Sequence, residues 1–137
     1  MDDQEDRLAL RHLRAGYWGL AAYLLLGIFL ETLHAFKAGF YLDVGNETRR
    51  LLFRLAHTHG TLLALINIVY GLTVRVVERA KNPVASGCLL SALLLLPGGF
   101  LLGGIWVHGG DPGLGVVLVP PGALALLIGV VIVGRRL

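Results

Sequence analysis

The sequence is constrained most strongly by four apolar runs, each of which is long enough to cross a lipid bilayer. The runs cover residues 15–36, 55–74, 84–107 and 114–134, and shorter polar segments separate them. A helix of about 20 apolar residues spans the hydrocarbon core of a membrane. Because 55% of the 137 residues are hydrophobic and only 15% are charged, the composition excludes an ordinary soluble domain. We therefore expect an all-α fold with one domain over residues 1–137, in which four transmembrane helices form a bundle.

Glycine and proline shape the helices within these runs. The 19 glycines show no collagen-like repeat and predict close helix packing, because small residues let backbones approach each other in a membrane. Pro97 predicts a kink in the third run, and a neighbouring helix must satisfy the carbonyl group that loses its partner. Pro120 and Pro121 predict an irregular start to the fourth run. The segment His108-Gly-Gly-Asp111, between the third and fourth runs, predicts a tight turn.

Residues 2–14 precede the first run and combine acidic, basic and leucine side chains. Acidic residues at the start suit a helix N-terminus, and the arginines that follow approach the bilayer. The segment does not have the basic start and small-residue cleavage site of a signal peptide, so we expect it to be retained. We predict that it forms a short helix lying on the membrane surface.

Lysine and arginine are distributed unevenly between the two sides of this topology. Four spans place both termini on one side, and that side receives eight of the 12 basic residues. Because short basic segments favour the cytoplasmic side, we predict an integral protein of the bacterial inner membrane with both termini in the cytoplasm. The basic residues of that side are Arg7, Arg11, Arg14, Arg75, Arg79, Lys81, Arg135 and Arg136, and those of the other side are Lys37, Arg49, Arg50 and Arg54.

The expected partners are the lipid bilayer and either further copies of this chain or a larger membrane complex. The aromatic residues are not interleaved with a basic patch, so we predict no nucleic-acid binding. The single cysteine, Cys88, excludes an internal disulfide and a cysteine-based zinc site.

Ionisable side chains gather on the side of the membrane opposite the termini. Glu31 and His34 lie near the end of the first run, His57 and His59 open the second, and His108 follows the third. Four of the five histidines therefore share one layer, near the outer leaflet in the predicted orientation. Ionisable groups within spans are costly and usually face the bundle interior or a water-filled cavity. This layer is the predicted functional site.

Helical spacing indicates which members of the layer face inward. His57 and His59 lie two residues apart, about 200° around a regular helix, so they cannot both face inward. His57 shares its side with small and polar residues, including Asn67, for which we expect an interhelical hydrogen bond. We therefore expect His57, rather than His59, to face inward. In the first run, one stripe steps by three or four residues and consists of Gly16, Gly19, Tyr23, Gly27, Glu31 and His34.

The layer suggests two kinds of chemistry. Glu31 and His57 are candidate catalytic residues for acid–base chemistry. Alternatively, the site binds a transition metal or a haem, with Glu31, His34, His57 and His59 as candidate metal ligands and His34, His57 and His108 as candidate cofactor ligands. The cofactor is not identified by the sequence. Two other interpretations stay open: the polar groups serve only as hydrogen bonds between helices, or the chain is a non-catalytic accessory subunit whose glycine stripes contact a larger complex.

The second run carries a resemblance to a known family. His57-Thr-His-Gly60-Thr, followed by apolar residues up to Tyr70-Gly71-Leu72, resembles small bacterial four-helix integral membrane proteins of the hydroxylaminobenzene mutase type. His57 and Gly60 match the His-x-x-Gly step that opens the family's second span, whereas His59 stands where a carboxylate is expected. The resemblance implies a four-span fold and a rearrangement activity. The His-x-His start of this run is also similar to haem- and copper-binding membrane proteins.

Overall fold

The computed structural model describes residues 3–43, 45 and 47–137. Within these residues the chain forms, in order, α1 (Asp3–Ala35), α2 (Gly39–Leu42), α3 (Glu47–Val76), α4 (Pro83–Ile105) and α5 (Val119–Gly134). Short 3-10 segments, Glu78–Ala80 and Leu114–Leu118, precede α4 and α5. The described part of the chain contains no β-strand, so the predicted all-α class is confirmed.

Length and composition make four of the helical segments suitable for crossing a membrane: Arg7–Ala35, Glu47–Val76, Pro83–Ile105 and Leu114–Gly134. The prediction of four apolar helices of spanning length is therefore confirmed. The irregular start expected for the last of them is the 3-10 segment Leu114–Leu118, after which Pro120 and Pro121 occupy the first turn of α5. Proline is tolerated there because the first backbone N–H groups of a helix have no partner within it.

Two helix boundaries differ from those expected from hydropathy. α1 runs without a break from Asp3 to Ala35, so residues 3–14 form its first turns instead of a separate surface helix, and Asp2 lies outside the described residues. Ala9 is buried in a cluster that also contains residues of α3 and α4, and this contact explains why the amphipathic segment continues the helix. α3 likewise begins at Glu47, eight residues before the second apolar run.

The long helices pack as an open row in which α3 and α4 are central. α1 packs along α3, and α5 packs along α4, while α1 and α5 have no extensive contact in the described chain. In the most apolar stretch of each segment, 39% of the residues of α3 and 44% of those of α4 are buried, compared with 17% for α1 and 11% for Leu114–Gly134. The outer two helices therefore leave most of their apolar surface uncovered, as a lipid-exposed helix does.

Successive helices are antiparallel, which gives the molecule two distinct ends. At the terminal end, Ala9 of α1 packs with Val74 of α3 and with Ala80 in the connection to α4. The carbonyl oxygen of Leu137 accepts a hydrogen bond from Arg79 at the same end. The first turns of α1 and the end of α5 therefore lie at the same end of the described chain. We call the opposite end, where α1 meets α2 and the start of α3, the pocket end.

The α1–α3 interface is built on glycines. A Cβ atom at Gly16 would lie 2.5 Å from Cγ1 of Ile68 and 2.8 Å from the carbonyl oxygen of Ala64. The ring of Tyr23 covers Gly60, where a Cβ atom would approach it to 2.3 Å. Any larger side chain at these positions would separate the helices, because two non-bonded carbon atoms cannot approach much closer than about 3.5 Å. The predicted inward stripe of α1 is therefore confirmed for its glycines and Tyr23.

Pro97 lies inside α4, which continues as one helix from Pro83 to Ile105. Proline has no backbone N–H, so the carbonyl group of Leu93, four residues earlier, loses its helical donor. The hydroxyl group of Tyr23 donates a hydrogen bond to that carbonyl oxygen at 2.9 Å. A side chain of α1 thus replaces the missing bond of α4, as expected for a proline within a membrane helix.

Candidate functional site

An open cavity of about 550 Å³ lies at the pocket end between α1 and α3. We call it the α1–α3 pocket. Its lining combines one carboxylate, two imidazoles and two guanidinium groups with apolar residues: Gly27, Leu30, Glu31, His34, Tyr41, Arg50, Arg54 and His57. Three residues of the predicted site, Glu31, His34 and His57, are therefore brought to one cavity.

Two helical stripes and one short helix form this lining. The residues of α1 recur at intervals of three or four along the sequence, and the same is true of Arg50, Arg54 and His57 on α3. Residues with this spacing lie on one face of a helix. The short helix α2 places Tyr41, which is only 4% exposed, next to the pocket, where its ring meets that of His34 edge to face at a centroid distance of 6.4 Å.

His57 has a fixed orientation in the pocket. Its Nδ1 atom lies 2.7 Å from the carbonyl oxygen of Tyr23. A carbonyl oxygen only accepts hydrogen bonds, so Nδ1 carries the proton and donates it. The imidazole ring lies against Gly27, where a Cβ atom would be 2.4 Å from Cε1. The structure gives Nε2 no hydrogen-bond partner among the described residues, so its lone pair is available to a ligand as a base or as a metal ligand.

Glu31 and His34 are exposed in the same pocket. The described structure contains no hydrogen bond or ion pair of the Glu31 carboxylate. His34 has only the ring contact with Tyr41. The pocket therefore presents the carboxylate of Glu31, the imidazole of His34 and the Nε2 atom of His57, none of which forms a hydrogen bond within the described chain.

The two other histidines of the predicted layer lie elsewhere. His59 is on the side of α3 that meets α4, where its ring lies 5.1 Å from that of Phe100 and its Nδ1 atom is 2.9 Å from the carbonyl oxygen of Leu55. His57 and His59 thus point in different directions, but both meet a neighbouring helix, because α3 packs between α1 and α4; the expectation that only His57 faces inward does not describe this arrangement. His108 lines a different cavity, of about 720 Å³, together with Trp106 and residues 111–115, 117 and 118.

The segment around His108 is the predicted tight turn. His108 and Asp111 exchange two backbone hydrogen bonds, at 3.1 and 2.9 Å. Gly109 and Gly110 between them have φ angles of 57° and 89°, a conformation that glycine adopts without strain. The turn accounts for this sequence pattern without a bound metal.

The candidate metal and haem ligands are not assembled into one site. In the residues that the structure describes, no group of three or more histidine, cysteine, aspartate or glutamate side chains is placed to hold a metal ion. His59 and His108, both candidate ligands, lie away from the pocket that contains His57. The four candidate ligands therefore do not form the predicted metal centre in the described chain.

Sequence reasoning missed a second polar cluster, at the terminal end. His12 is fully buried, and its Nδ1 atom lies 2.7 Å from Oδ1 of Asn67 while its Nε2 atom lies 2.7 Å from Oγ of Ser86. The ring also meets that of Tyr70 edge to face, at a centroid distance of 4.6 Å. The signal was present in the sequence, because His12 precedes Gly16 by four residues and so extends the inward stripe of α1 by one turn.

The hydrogen bonds of this cluster give it a structural role. The Nδ2 atom of Asn67 donates to the carbonyl oxygens of Leu63 and Leu89, at 2.9 and 3.3 Å, so its Oδ1 atom must accept from Nδ1 of His12. Ser86 accepts from Arg11, and its hydroxyl proton is free to point at Nε2 of His12. Both imidazole nitrogens are satisfied, and α1, α3 and α4 are joined. The interhelical bond expected for Asn67 is confirmed.

Two residues of the α1–α3 pocket were also missed. Arg50 and Arg54 were counted only as loop charges, because hydropathy placed them before the second span. They belong to α3, whose helix begins at Glu47, and they share a face with His57. The spacing of 50, 54 and 57 is the sequence signal that would have identified them.

Comparisons with known proteins identify no relative: no family model, no curated protein and no solved structure matches the chain. The resemblance to the hydroxylaminobenzene mutase type therefore stays a prediction. The case for function rests on the geometry of the α1–α3 pocket.

Proposed function

We propose that the protein is a small integral membrane enzyme that isomerises an amphipathic molecule in the α1–α3 pocket by acid–base chemistry. The observation that carries this proposal is the state of His57. Its Nδ1 atom is bound to the carbonyl oxygen of Tyr23, its Nε2 atom has no hydrogen-bond partner among the described residues, and the residue lines the α1–α3 pocket. A neutral imidazole in this tautomer is a general base with a defined direction.

Glu31 supplies the second ionisable group of the mechanism. In the proposed reaction, Nε2 of His57 removes a proton from one atom of the substrate, and the carboxylate of Glu31 stabilises the imidazolium ion. The proton then returns to another atom of the substrate. The product is an isomer of the substrate, so no oxidant, reductant or second substrate is consumed. An imidazole acting in this way contributes roughly 10² to 10⁴ in rate.

We place the terminal end of the molecule in the cytoplasm of a bacterium and the pocket near the outer leaflet of its inner membrane. The basic residues support this orientation, since eight of the 12 lie at the terminal end and basic segments favour the cytoplasm. The uncovered apolar surfaces of α1 and of segment Leu114–Gly134 support insertion in lipid. A cysteine at Asp111 in a Cys88→Ser background should react with a membrane-impermeant maleimide in intact spheroplasts. Labelling that requires lysis would reverse the orientation.

An accessory subunit is the second candidate. The glycines expected to contact a partner complex, Gly27 and Gly103, instead pack against His57 and Val116 of the same chain. One observation still favours this role: α4 has uncovered small residues at Gly87 and Gly98, where an added Cβ atom would meet nothing within 4 Å. Small residues on a lipid-facing surface suit helix association. Purification in mild detergent as part of a larger complex, lost on Gly87→Leu, would support this role.

Solvent-hydrogen exchange tests the proposed enzyme even though its substrate is unidentified. The protein in liposomes is incubated in D₂O with a bacterial polar lipid extract, and deuterium incorporation into each extract component is measured by mass spectrometry. We expect one or more components to gain deuterium at least about a hundredfold faster than with empty liposomes, roughly the lower end of what a general base contributes. His57→Gln should abolish this gain. His59→Gln, which changes the opposite side of α3, is the matched control and should retain it.

The outcome that refutes the proposal is equally defined. If no component exchanges faster than with empty liposomes, or if His57→Gln and His59→Gln reduce exchange equally, His57 is not the base of a proton-transfer reaction.

A further inference from the structure

We infer that the α1–α3 pocket binds the anionic oxygen atoms of its ligand, the phosphate group of a lipid-like molecule, through the guanidinium group of Arg54. This inference names the ligand class of the proposed enzyme, and the choice of Glu31 and His57 as reacting groups rests on that proposal. The binding of an anion at Arg54 is independent of it.

Three arginines lie near the start of α3, and two of them have partners within the described chain. Arg49 donates to the carbonyl oxygens of Gly104 and Phe40, at 3.3 and 3.2 Å, and its guanidinium carbon lies 4.3 Å from the centroid of the Phe40 ring. Arg50 forms an ion pair with Glu47 at 3.3 Å. Both side chains thus have partners that fix them.

Arg54 is the third, and its guanidinium group has no hydrogen bond or ion pair within the described chain. It is exposed and lines the pocket together with His57. Glu31 lines the same pocket but forms no ion pair with it. A guanidinium group at the edge of a membrane span is costly unless it is solvated or paired, and an oxyanion ligand would supply that pairing.

Phosphate and guanidinium groups match in geometry, because the planar fork of an arginine donates two parallel hydrogen bonds to two oxygen atoms. Arg50 lies one turn from Arg54 on the same face and also lines the pocket, but its charge is paired with Glu47. Glu31 on the opposite wall repels an anion. The charges therefore orient a ligand with its phosphate group toward α3.

This orientation brings the rest of the ligand to His57. Arg54 and His57 are three positions apart, which corresponds to about 4.5 Å along the helix axis. Both residues line the pocket, so a ligand bound at Arg54 lies in the same cavity as His57. Leu30 and Gly27 continue the pocket toward the apolar part of the α1–α3 interface, where an alkyl chain avoids water.

Ligand-dependent thermal unfolding in a neutral maltoside detergent tests the inference. The probes are dodecyl phosphate, inorganic phosphate and, as the charge-reversed control, dodecyltrimethylammonium. We expect dodecyl phosphate to raise the Tm of the wild-type protein, and Arg54→Gln to weaken its apparent affinity at least tenfold, roughly the loss of one charge-assisted bidentate contact. Arg75→Gln removes an exposed arginine from the other end of α3 and should leave that affinity unchanged. Arg54→Lys should restore part of it.

The probes also separate two sources of the same chemistry. Stabilisation by dodecyl phosphate alone indicates a lipid headgroup, whereas equal stabilisation by inorganic phosphate indicates a water-soluble phosphate compound. Dodecyl phosphate binding that is unaffected by Arg54→Gln, or an equal effect of dodecyltrimethylammonium, would overturn the inference. Arg54→Gln must first show the Tm of the wild-type protein without ligand, and if it does not, Arg54→Leu, which also removes the charge, decides the result by the same criterion.

These experiments distinguish a failure of the anion-binding site from a failure of the proposed enzyme. His57→Gln should keep the affinity for dodecyl phosphate while it loses deuterium exchange. Anion binding at Arg54 without any deuterium exchange would refute the proposed enzyme and leave the binding site in place. Deuterium exchange with an affinity that does not depend on Arg54 would refute the binding site alone.

Discussion

The hydrogen bond between Tyr23 and the carbonyl oxygen of Leu93 should stabilise the protein only because Pro97 is present. Tyr23→Phe keeps the ring that packs on Gly60 and removes the hydroxyl group, which leaves a buried carbonyl oxygen without a donor. An unsatisfied buried polar group costs about 1–3 kcal/mol, and side-chain hydrogen bonds within a membrane average about 0.6 and reach about 1.7 kcal/mol. We therefore expect Tyr23→Phe to lower the free energy of unfolding by about 1 kcal/mol.

A double-mutant cycle isolates this effect. Pro97→Ala restores a backbone N–H, which can donate to the carbonyl oxygen of Leu93 in the ordinary helical pattern. In the Pro97→Ala background, Tyr23→Phe should therefore cost only a few tenths of a kcal/mol. The measurement is reversible unfolding in mixed micelles by increasing mole fractions of dodecyl sulfate, followed by circular dichroism. Equal costs of Tyr23→Phe in the two backgrounds would show that the hydroxyl group does not compensate for the proline.

Three further predictions concern the pocket and the buried cluster. Gly27→Ala would place a Cβ atom 2.4 Å from the ring of His57, so deuterium exchange should fall at least tenfold. Gly87→Ala, at an uncovered position, should leave the exchange unchanged. Equal activity of both variants would contradict the assigned position of the base. Asn67→Leu leaves Nδ1 of the buried His12 without its acceptor and should lower the free energy of unfolding in dodecyl sulfate by about 1–3 kcal/mol. A change below about 0.5 kcal/mol would show that the cluster does not stabilise the packing of the helices. The purified protein should contain less than about 0.1 equivalent of transition metal by elemental analysis and no Soret band, since no three candidate ligands of the described chain are placed to hold a metal ion. Stoichiometric metal would refute the acid–base mechanism as written.

The sequence predicted those features that depend on local spacing. The length of an apolar run determines whether a helix can cross a membrane, so four such helices were identified. The period of the helix places Gly16, Tyr23 and Gly27 on one face regardless of what they contact. The same rule separated His57 from His59. These features follow from the chain's own period and do not depend on how the helices are arranged.

Hydropathy failed at the helix ends, for a physical reason. Hydropathy indicates which stretch of the chain lies in lipid, whereas a helix ends where its backbone hydrogen bonds end. Charged residues are good helix formers, so α3 extends back through Arg50 and Arg54 to Glu47, and α1 extends back through His12 to Asp3. Both missed sets of polar residues lie in these extensions. Their partners, on other helices, could not be inferred from one stretch of sequence.

The two bonds from α1 to α4 have a consequence for how the chain assembles. His12 meets Ser86, and Tyr23 meets the carbonyl oxygen of Leu93, although all of α3 lies between these residues in the sequence. A ribosome delivers α1 to the membrane well before α4. Until α4 is inserted, the hydroxyl group of Tyr23 lacks its final acceptor and Nε2 of His12 lacks its final donor. Docking of α1 is therefore completed only when α4 arrives. A chain that stops after α3 should expose these two polar groups and be recognised as unfinished by the proteases that degrade membrane proteins.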